Sequence, residues 1–349
     1  MSVSSDLQRP NGHLAVLDGV RAVSILLVLS GHLLPLGPKV LGLNAPAATG
    51  GMSLFFVLSG FLITRFLLES DSLVEFYVKR LARIVPLAYL YMISVFLLFD
   101  HNWKTLLSEL TFTVNFRPDE FNEYNTHLWS LCVEAHFYLA IGLVFGLARR
   151  HAKWLVLGLC AAATAARILE PGIPTSSFTQ VRVDEILAGS LMCLSVGGAF
   201  GDHGRFWRLL GRLTPLLALG LVVSSHPAFG PANDLRAYFA AMLVGSLLFC
   251  TWTPVTAVLA SRPMAYIAKI SYALYVIHPA AASGALSGGP KWLLYLVKRP
   301  ITFAITFALA NLSTYGYEAF WTARVRRLLA ARRRRKLEKA VPVAMSAAA

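Results

Sequence analysis

The sequence predicts an all-α fold, a polytopic transmembrane bundle of about ten spans with N- and C-termini cytoplasmic, and three observations predict it. Of the 349 residues, 56% are hydrophobic and only 14% charged, with a mean hydropathy of +0.59; a soluble chain of this length carries about 25% charge. Apolar runs recur at 16–36, 51–68, 84–99, 130–148, 154–169, 184–200, 213–225, 235–252, 264–283 and 300–320. Several reach or approach the roughly 20 residues that cross a hydrocarbon core. With the N-terminus inside and ten crossings, the inner segments collect Arg9, Arg21, Arg65, Lys79, Arg80, Arg83, Arg149, Arg150, Lys153, Arg205, Arg208, Arg212, Arg262, Lys269 and the basic tail, 23 of the 32 Lys and Arg. Such a bias is what the positive-inside rule expects. An odd number of crossings would strand either Arg9 and its neighbours or the ARRRRK tail on the outer side.

Residues 1–13 form a polar cytoplasmic segment with no basic region leading into a cleavable apolar core, so the first run reads as a retained helix. One integral domain then covers 14–322. The third run meets Pro86 in its first turn, where proline is tolerated. HNWKTLLSELTFTVNF, 101–116, reads as an interfacial or re-entrant piece, because a full span there would invert everything downstream. The runs at 154–169 and 213–225 are short. The ninth contains SYALYVIHPA, in which Pro279 frees a backbone carbonyl and bends the helix, a device for lining a cavity. Residues 323–349 are expected to be a disordered cytoplasmic tail.

The net charge of +14 does not point to nucleic acid, since nine of the basic residues crowd after residue 323. A juxtamembrane basic tail answers anionic lipid headgroups. Cys132, Cys160, Cys193 and Cys250 all fall inside apolar runs without paired spacing and read as core residues. With no HxxxH or HExxH, no glycine-rich loop followed by lysine and no GxSxG elbow, the sequence offers no metal site, phosphate loop or serine nucleophile.

Three constellations can carry chemistry. In LDGVRAVSILLVLSGHLLPLG, eleven residues at about 100° each bring Arg21 and His32 within roughly 20° of one helix face, about 16 Å apart along the axis. Ionisable groups inside an apolar segment mark pathways or reaction centres; a packed histidine and a snorkelling arginine are the plain alternative. Lys79, Arg80 and Arg83 in EFYVKRLARIVPLAYL stand at the cytoplasmic mouth of the third span. They suit a nucleotide phosphate, or simply anchor topology. In NTHLWSLCVEAHFYLA, Glu134 sits among Trp129, His136 and Tyr138, and a carboxylate there needs a partner. His32, in the outer half of the first span, is the expected one. A carboxylate on one imidazole nitrogen fixes the tautomer and leaves the other to take a proton; a structural interhelix bond is the alternative. Further on, Asp184 in VRVDEILAG is expected to orient a hydroxylated acceptor or to cap its helix, and His278 to line the site.

These motifs in this order, with GGMSLFFVLSGFLITR after the first, LWSLCVEAHFYL, VRVDEILAG and ISYALYVIHP later, resemble the membrane-bound acyltransferase 3 family over about 14–320. The resemblance implies an inner-membrane enzyme that moves an acyl group, acetyl most commonly, from cytoplasmic acyl-CoA to a hydroxyl of a polysaccharide or glycosylated acceptor. Arg21 and His32 match the family's arginine–histidine pair, Lys79, Arg80 and Arg83 its coenzyme-binding cluster, and Glu134 its acidic position. His136 stands where many members have a second glutamate or a glutamine. The outer hydrolase-like domain that some members carry is not expected within these 349 residues. The expected site therefore has His32 and Glu134 as catalytic residues, Arg21, Lys79, Arg80 and Arg83 around acyl-CoA, and His136, Tyr138, Asp184 and His278 around the acceptor. No metal is expected, and membrane lipids surround the site. His32 acts as a base or as an acyl relay. A proton-coupled transporter or exporter is the competing class, since intramembrane His and Glu also build proton relays. A scaffold with a lipid-binding tail is a third.

Overall fold

A computed structural model of the protein describes residues 14–70, 72–169 and 176–346, side chains of 333 and 335–346 excepted. It is an all-α membrane protein with no strand among the described residues. Helix α1 (Ala15–Leu33) packs on α2 (Asn44–Glu69), and α3 (Leu73–Val95) continues in a π-helical turn to Asp100. Next come the short α4 (Trp103–Leu110), then α5 (Trp129–Leu147), α6 (Ala152–Leu169) and α7 (Thr179–Val196). A bent pair, α8 (Gly204–Arg212) and α9 (Thr214–Ser225), leads to α10 (Arg236–Leu247). The bundle closes with α11 (Thr253–Leu259), α12 (Arg262–Ala282), α13 (Arg299–Leu312) and α14 (Glu318–Ser346).

All ten apolar runs fold as helix. Among the described residues, six helices are long and apolar enough to cross a membrane, or seven if α8 and α9 form one bent span. The others fall short for visible reasons: α10 has only 12 residues, and α7 carries Arg182, Asp184 and Glu185. Those charges are answered inside the protein, as described below.

Helix α2 is the centre of the bundle, with 72% of its apolar window enclosed against 33% for α3. Lipid tails are as apolar as leucine, so close backbone approach must replace the hydrophobic effect between spans. The α2–α7 contact shows how: a Cβ on Gly60 would collide with the Ile186 carbonyl, and one on Gly189 with the Val57 carbonyl. Ser24 donates to the Gly51 carbonyl across α1 and α2 at 2.8 Å. Leucines turned away from the core, such as Leu139, Leu143 and Leu147, are exposed along α5, as a lipid-facing surface requires.

Helix α4 has eight residues, about 12 Å, too short to span, in line with the interfacial or re-entrant reading of 101–116; Asn102 caps it by accepting from the Lys104 amide, and the turn after it passes through Phe112 at φ 55°. Two expectations change. Helix α3 begins at Leu73, so Pro86 lies mid-helix and Lys79, Arg80 and Arg83 lie on the helix itself. The tail after residue 323, expected to be disordered, continues α14 to Ser346; its Ala, Arg, Leu and Lys content favours helix. Residues 1–13 lie outside the described part of the chain.

Candidate active site

Proline at 279 has no N–H to donate to the carbonyl four residues back. That carbonyl is Tyr275's, and the His278 ring occupies it, Nδ1 to O at 2.7 Å. A carbonyl only accepts, so Nδ1 of His278 carries the proton. In a neutral imidazole the other nitrogen is then an acceptor. His278 Nε2 lies 3.0 Å from His32 Nδ1, with the two rings stacked at 5.2 Å. His32 therefore donates from Nδ1, and its Nε2 keeps a free lone pair. The HP dipeptide thus fixes the tautomer of a histidine 246 residues away.

His32 lines a cavity of about 660 Å3 together with His127, Trp129, Arg182 and His278. His278 and His127 are buried, whereas His32 is exposed to this space. His127 donates from Nε2 to the Val276 carbonyl at 3.1 Å, and its Nδ1 has no partner among the described residues. Arg182 lies over the Trp129 ring at 4.9 Å, a cation–π contact. Its Nη2 donates to Glu185 at 3.3 Å.

Glu185 anchors a buried ionic network. It accepts from Arg236 at 2.9 Å and from Ser53 at 3.0 Å, and Arg167 sits at 3.5 Å. Asp184 accepts from Arg167 at 2.5 Å and from the Glu185 amide at 2.8 Å. Five charges from α6, α7 and α10 pair with one another inside the protein, which is why α7 tolerates them, although Arg167 Nε, Arg182 Nε, Asp184 Oδ2 and both Nη of Arg236 find no hydrogen-bond partner among the described residues. Three arginines against two carboxylates leave a positive surplus, and Arg182 carries it to the cavity wall.

Around Arg21 the opposite end of α1 gathers a second group. Arg80, Arg83, Asp18 and Glu134 lie within electrostatic range of Arg21. Arg80 stands 5.7 Å from the Phe66 ring. Glu134 accepts from Tyr138 at 2.5 Å and from Ser59 at 2.8 Å. Lys79 is committed to Glu75, one turn back at 2.6 Å, and is the least available of the cluster.

Four expected site residues land elsewhere. Glu134 does not orient His32; His278 does. The reason is depth: His127 already packs on His278 and Tyr275, so α5 starts at the level of His32 and not at the surface. Seven residues later, about 10 Å farther along, Glu134 reaches the arginine cluster. Tyr138 goes with it. His136 bonds Thr179 at 2.7 Å beside Phe116 and lines a separate cavity of about 340 Å3. Asp184 is fully buried on Arg167 five residues into α7, so it neither faces an acceptor nor caps the helix. His127 and Arg182 were not assigned roles from sequence, although an arginine inside an apolar run is itself a signal. The four cysteines are free, and among the described residues no group of His, Cys, Asp and Glu could hold a metal.

The profile of an acyltransferase domain matches residues 14–315, nearly all of the bundle just described. The chain belongs to the acyltransferase 3 family. It is similar to a putative peptidoglycan O-acetyltransferase of Bacillus subtilis, YrhL, 31% identical over 51% of this chain and 32% of the relative. The O-acetyltransferase OatA of Staphylococcus aureus is 32% identical over 38% of this chain and 24% of its own length. The acyltransferase MdmB of Streptomyces mycarofaciens is 24% identical over 65% of this chain and 66% of the relative. The matched region thus spans about a third of YrhL and a quarter of OatA. No solved structure matches the chain. Arg21 and His32 lie eleven residues apart on α1, each beside its own cluster.

Proposed function

We propose that this multi-pass membrane protein transfers an acyl group, acetyl by preference, from cytoplasmic acyl-CoA to a hydroxyl of a carbohydrate or glycosylated acceptor on the outer side of the inner membrane. The observation that carries the reading is the His32–His278–Tyr275 chain, which leaves His32 Nε2 free at a cavity while a cationic cluster occupies the other end of the same helix. The proposed topology has ten spans with both termini cytoplasmic, so that Arg21, Arg80 and Arg83 face the cytoplasm and His32 the outer side.

The phosphates of the donor sit among Arg21, Arg80 and Arg83, which form no ion pair among the described residues. Guanidiniums suit such bidentate anions. Glu134, held by Tyr138 and Ser59, positions the arginines. The pantetheine arm runs beside α1 over the roughly 16 Å to His32. There Nε2 takes the proton of the acceptor hydroxyl and the oxygen attacks the thioester carbonyl. As the C–S bond breaks, the proton passes from His32 to the departing CoA sulfur. Arg182, held by Glu185, offers positive charge to the oxyanion that forms between these steps. His278 is a positioning residue.

The names of YrhL and OatA favour acetyl as the group, and that of YrhL a glycan as the acceptor. A proton-coupled transporter needs no anion site at the cytoplasmic mouth, and three unpaired guanidiniums there favour the enzyme. Comparing ester-linked acyl groups on surface glycans of cells with and without the gene tests the reading. Loss of one O-acyl modification, restored by the wild-type gene but not by His32→Ala, is the expected result. Identical acylation in both cells contradicts it.

A further inference from the structure

A smaller cavity of about 300 Å3 opens beside the one at His32, walled by the turn after α1, Tyr295, Lys39 and Arg299. His32 and Arg299 line both spaces. Each arginine of the buried network reaches a carboxylate, even where some of its nitrogens stay unpartnered, but Arg299 reaches none among the described residues. Its Nε and Nη1 are buried and find no hydrogen-bond partner among the described residues. Neighbouring Lys298 is taken up by the carbonyls of Ala285 and Gly288, at 2.8 and 2.6 Å.

Guanidinium donors buried without a partner are costly, and a carboxylate or phosphate oxygen pair is the ligand that fits their fork. The anion concerned is not the donor's phosphate cluster, which belongs with Arg21 about 16 Å down α1. It must be attached to whatever reacts at His32. Glu123, on the wall of the larger cavity, brings the opposite sign and leaves the smaller one as the cationic side.

Building on the acyl-transfer reading, we propose that this annex binds an anionic group, a carboxylate or phosphate, on the acceptor glycan. Arg299 and Lys39 grip the charge while a hydroxyl of the same glycan rests at His32 Nε2. Arg299 is thus a specificity-determining residue, and the substrate class is an acidic carbohydrate.

The test uses the full chain in proteoliposomes with acetyl-CoA and two oligosaccharides of equal length, oligogalacturonate and its neutral counterpart. The expected result is a preference in kcat/KM for the acidic one of about 10- to 100-fold, the worth of one charge-assisted contact. The preference disappears in Arg299→Gln and is largely kept in Arg299→Lys. Equilibrium dialysis of the same labelled oligosaccharides reads the annex without any turnover. CoA release that depends on His32 reads the acyl-transfer reaction by itself, so failure of one is distinguishable from failure of the other. Equal binding of the two oligosaccharides by the wild type overturns the proposal. So does an Arg299→Gln effect confined to a dicarboxylic donor such as succinyl-CoA, which would move the anion onto the acyl group.

Discussion

Replacing His278 with alanine removes the acceptor that holds the Nδ1 proton of His32. The His32–His278 hydrogen bond at 3.0 Å contributes about 1 kcal/mol of net stability, equivalent to no more than about fivefold in a rate. The larger consequence is orientation. Without His278 Nε2, the His32 ring is free to flip, and its two tautomers compete for the position that faces the cavity. Loss of a positioned general base typically costs 100- to 10,000-fold, and a kcat about 100-fold lower is expected at this partially preserved site. The KM for acyl-CoA should move by no more than about twofold, because the donor's phosphates lie at the far end of α1. His278→Gln is the informative companion, since its amide oxygen can reach the Nε2 position and accept from His32. It should recover most of the lost kcat. Steady-state acyl transfer in proteoliposomes, with acceptor saturating, measures all three proteins. A His278→Ala enzyme with kcat within about threefold of the wild type refutes the tautomer argument. So does a Glu134→Gln enzyme that loses kcat while keeping its KM for acyl-CoA.

Neutralising Arg80 and Arg83 together should raise the KM for acyl-CoA at least about tenfold with kcat little changed, each phosphate contact being worth about 1.5–3 kcal/mol; titrating CoA into the purified variant checks the same loss as a binding constant. Arg236→Met strips Glu185 of its 2.9 Å partner and should lower stability by on the order of 3 kcal/mol, read as a fall in thermal midpoint in detergent. Glu109, on α4 outside the spans, is pushed up by burial from an ordinary 4.5 to about 7, against the opposing pull of its Asn125 hydrogen bond. A carboxyl raised in the folded state favours folding fully below its unfolded value and loses that contribution as pH climbs through the folded one. Thermal stability should therefore decline between about pH 5 and 8, and Glu109→Gln should flatten that decline.

How much of this was readable in the sequence differs from residue to residue. Apolar periodicity placed the long apolar helices, since burial in lipid leaves the backbone no alternative to helix, but not the basic continuation of α14. Arg21 and His32 share a helix, so their spacing was fixed by helix geometry alone. Pro279 was legible as the source of a free carbonyl, and the carbonyl proves to be the one His278 uses. The partner of His32 was not legible, because the α1–α12 contact joins residues separated by most of the chain. Glu134 was misplaced because hydropathy reports that a helix enters the membrane but not how deep its first turn lies. The segment between α4 and α5 dips to the level of His278, and that shift carries Glu134 to the arginines. Asp184 reads from its position as an acceptor ligand or a helix cap, and its neighbour Glu185 draws no separate reading. Their partners, Arg167 and Arg236, sit on two other helices, and no local pattern announces such a network.

The central claim is that His32 carries the chemistry and the arginine cluster holds the donor. The most direct measurement is acyl transfer from labelled acetyl-CoA by purified His32→Ala protein in proteoliposomes, with CoA binding followed in the same preparation. The account predicts a rate lower by at least about 100-fold and CoA bound as tightly as by the wild type. Transfer at the wild-type rate would contradict it.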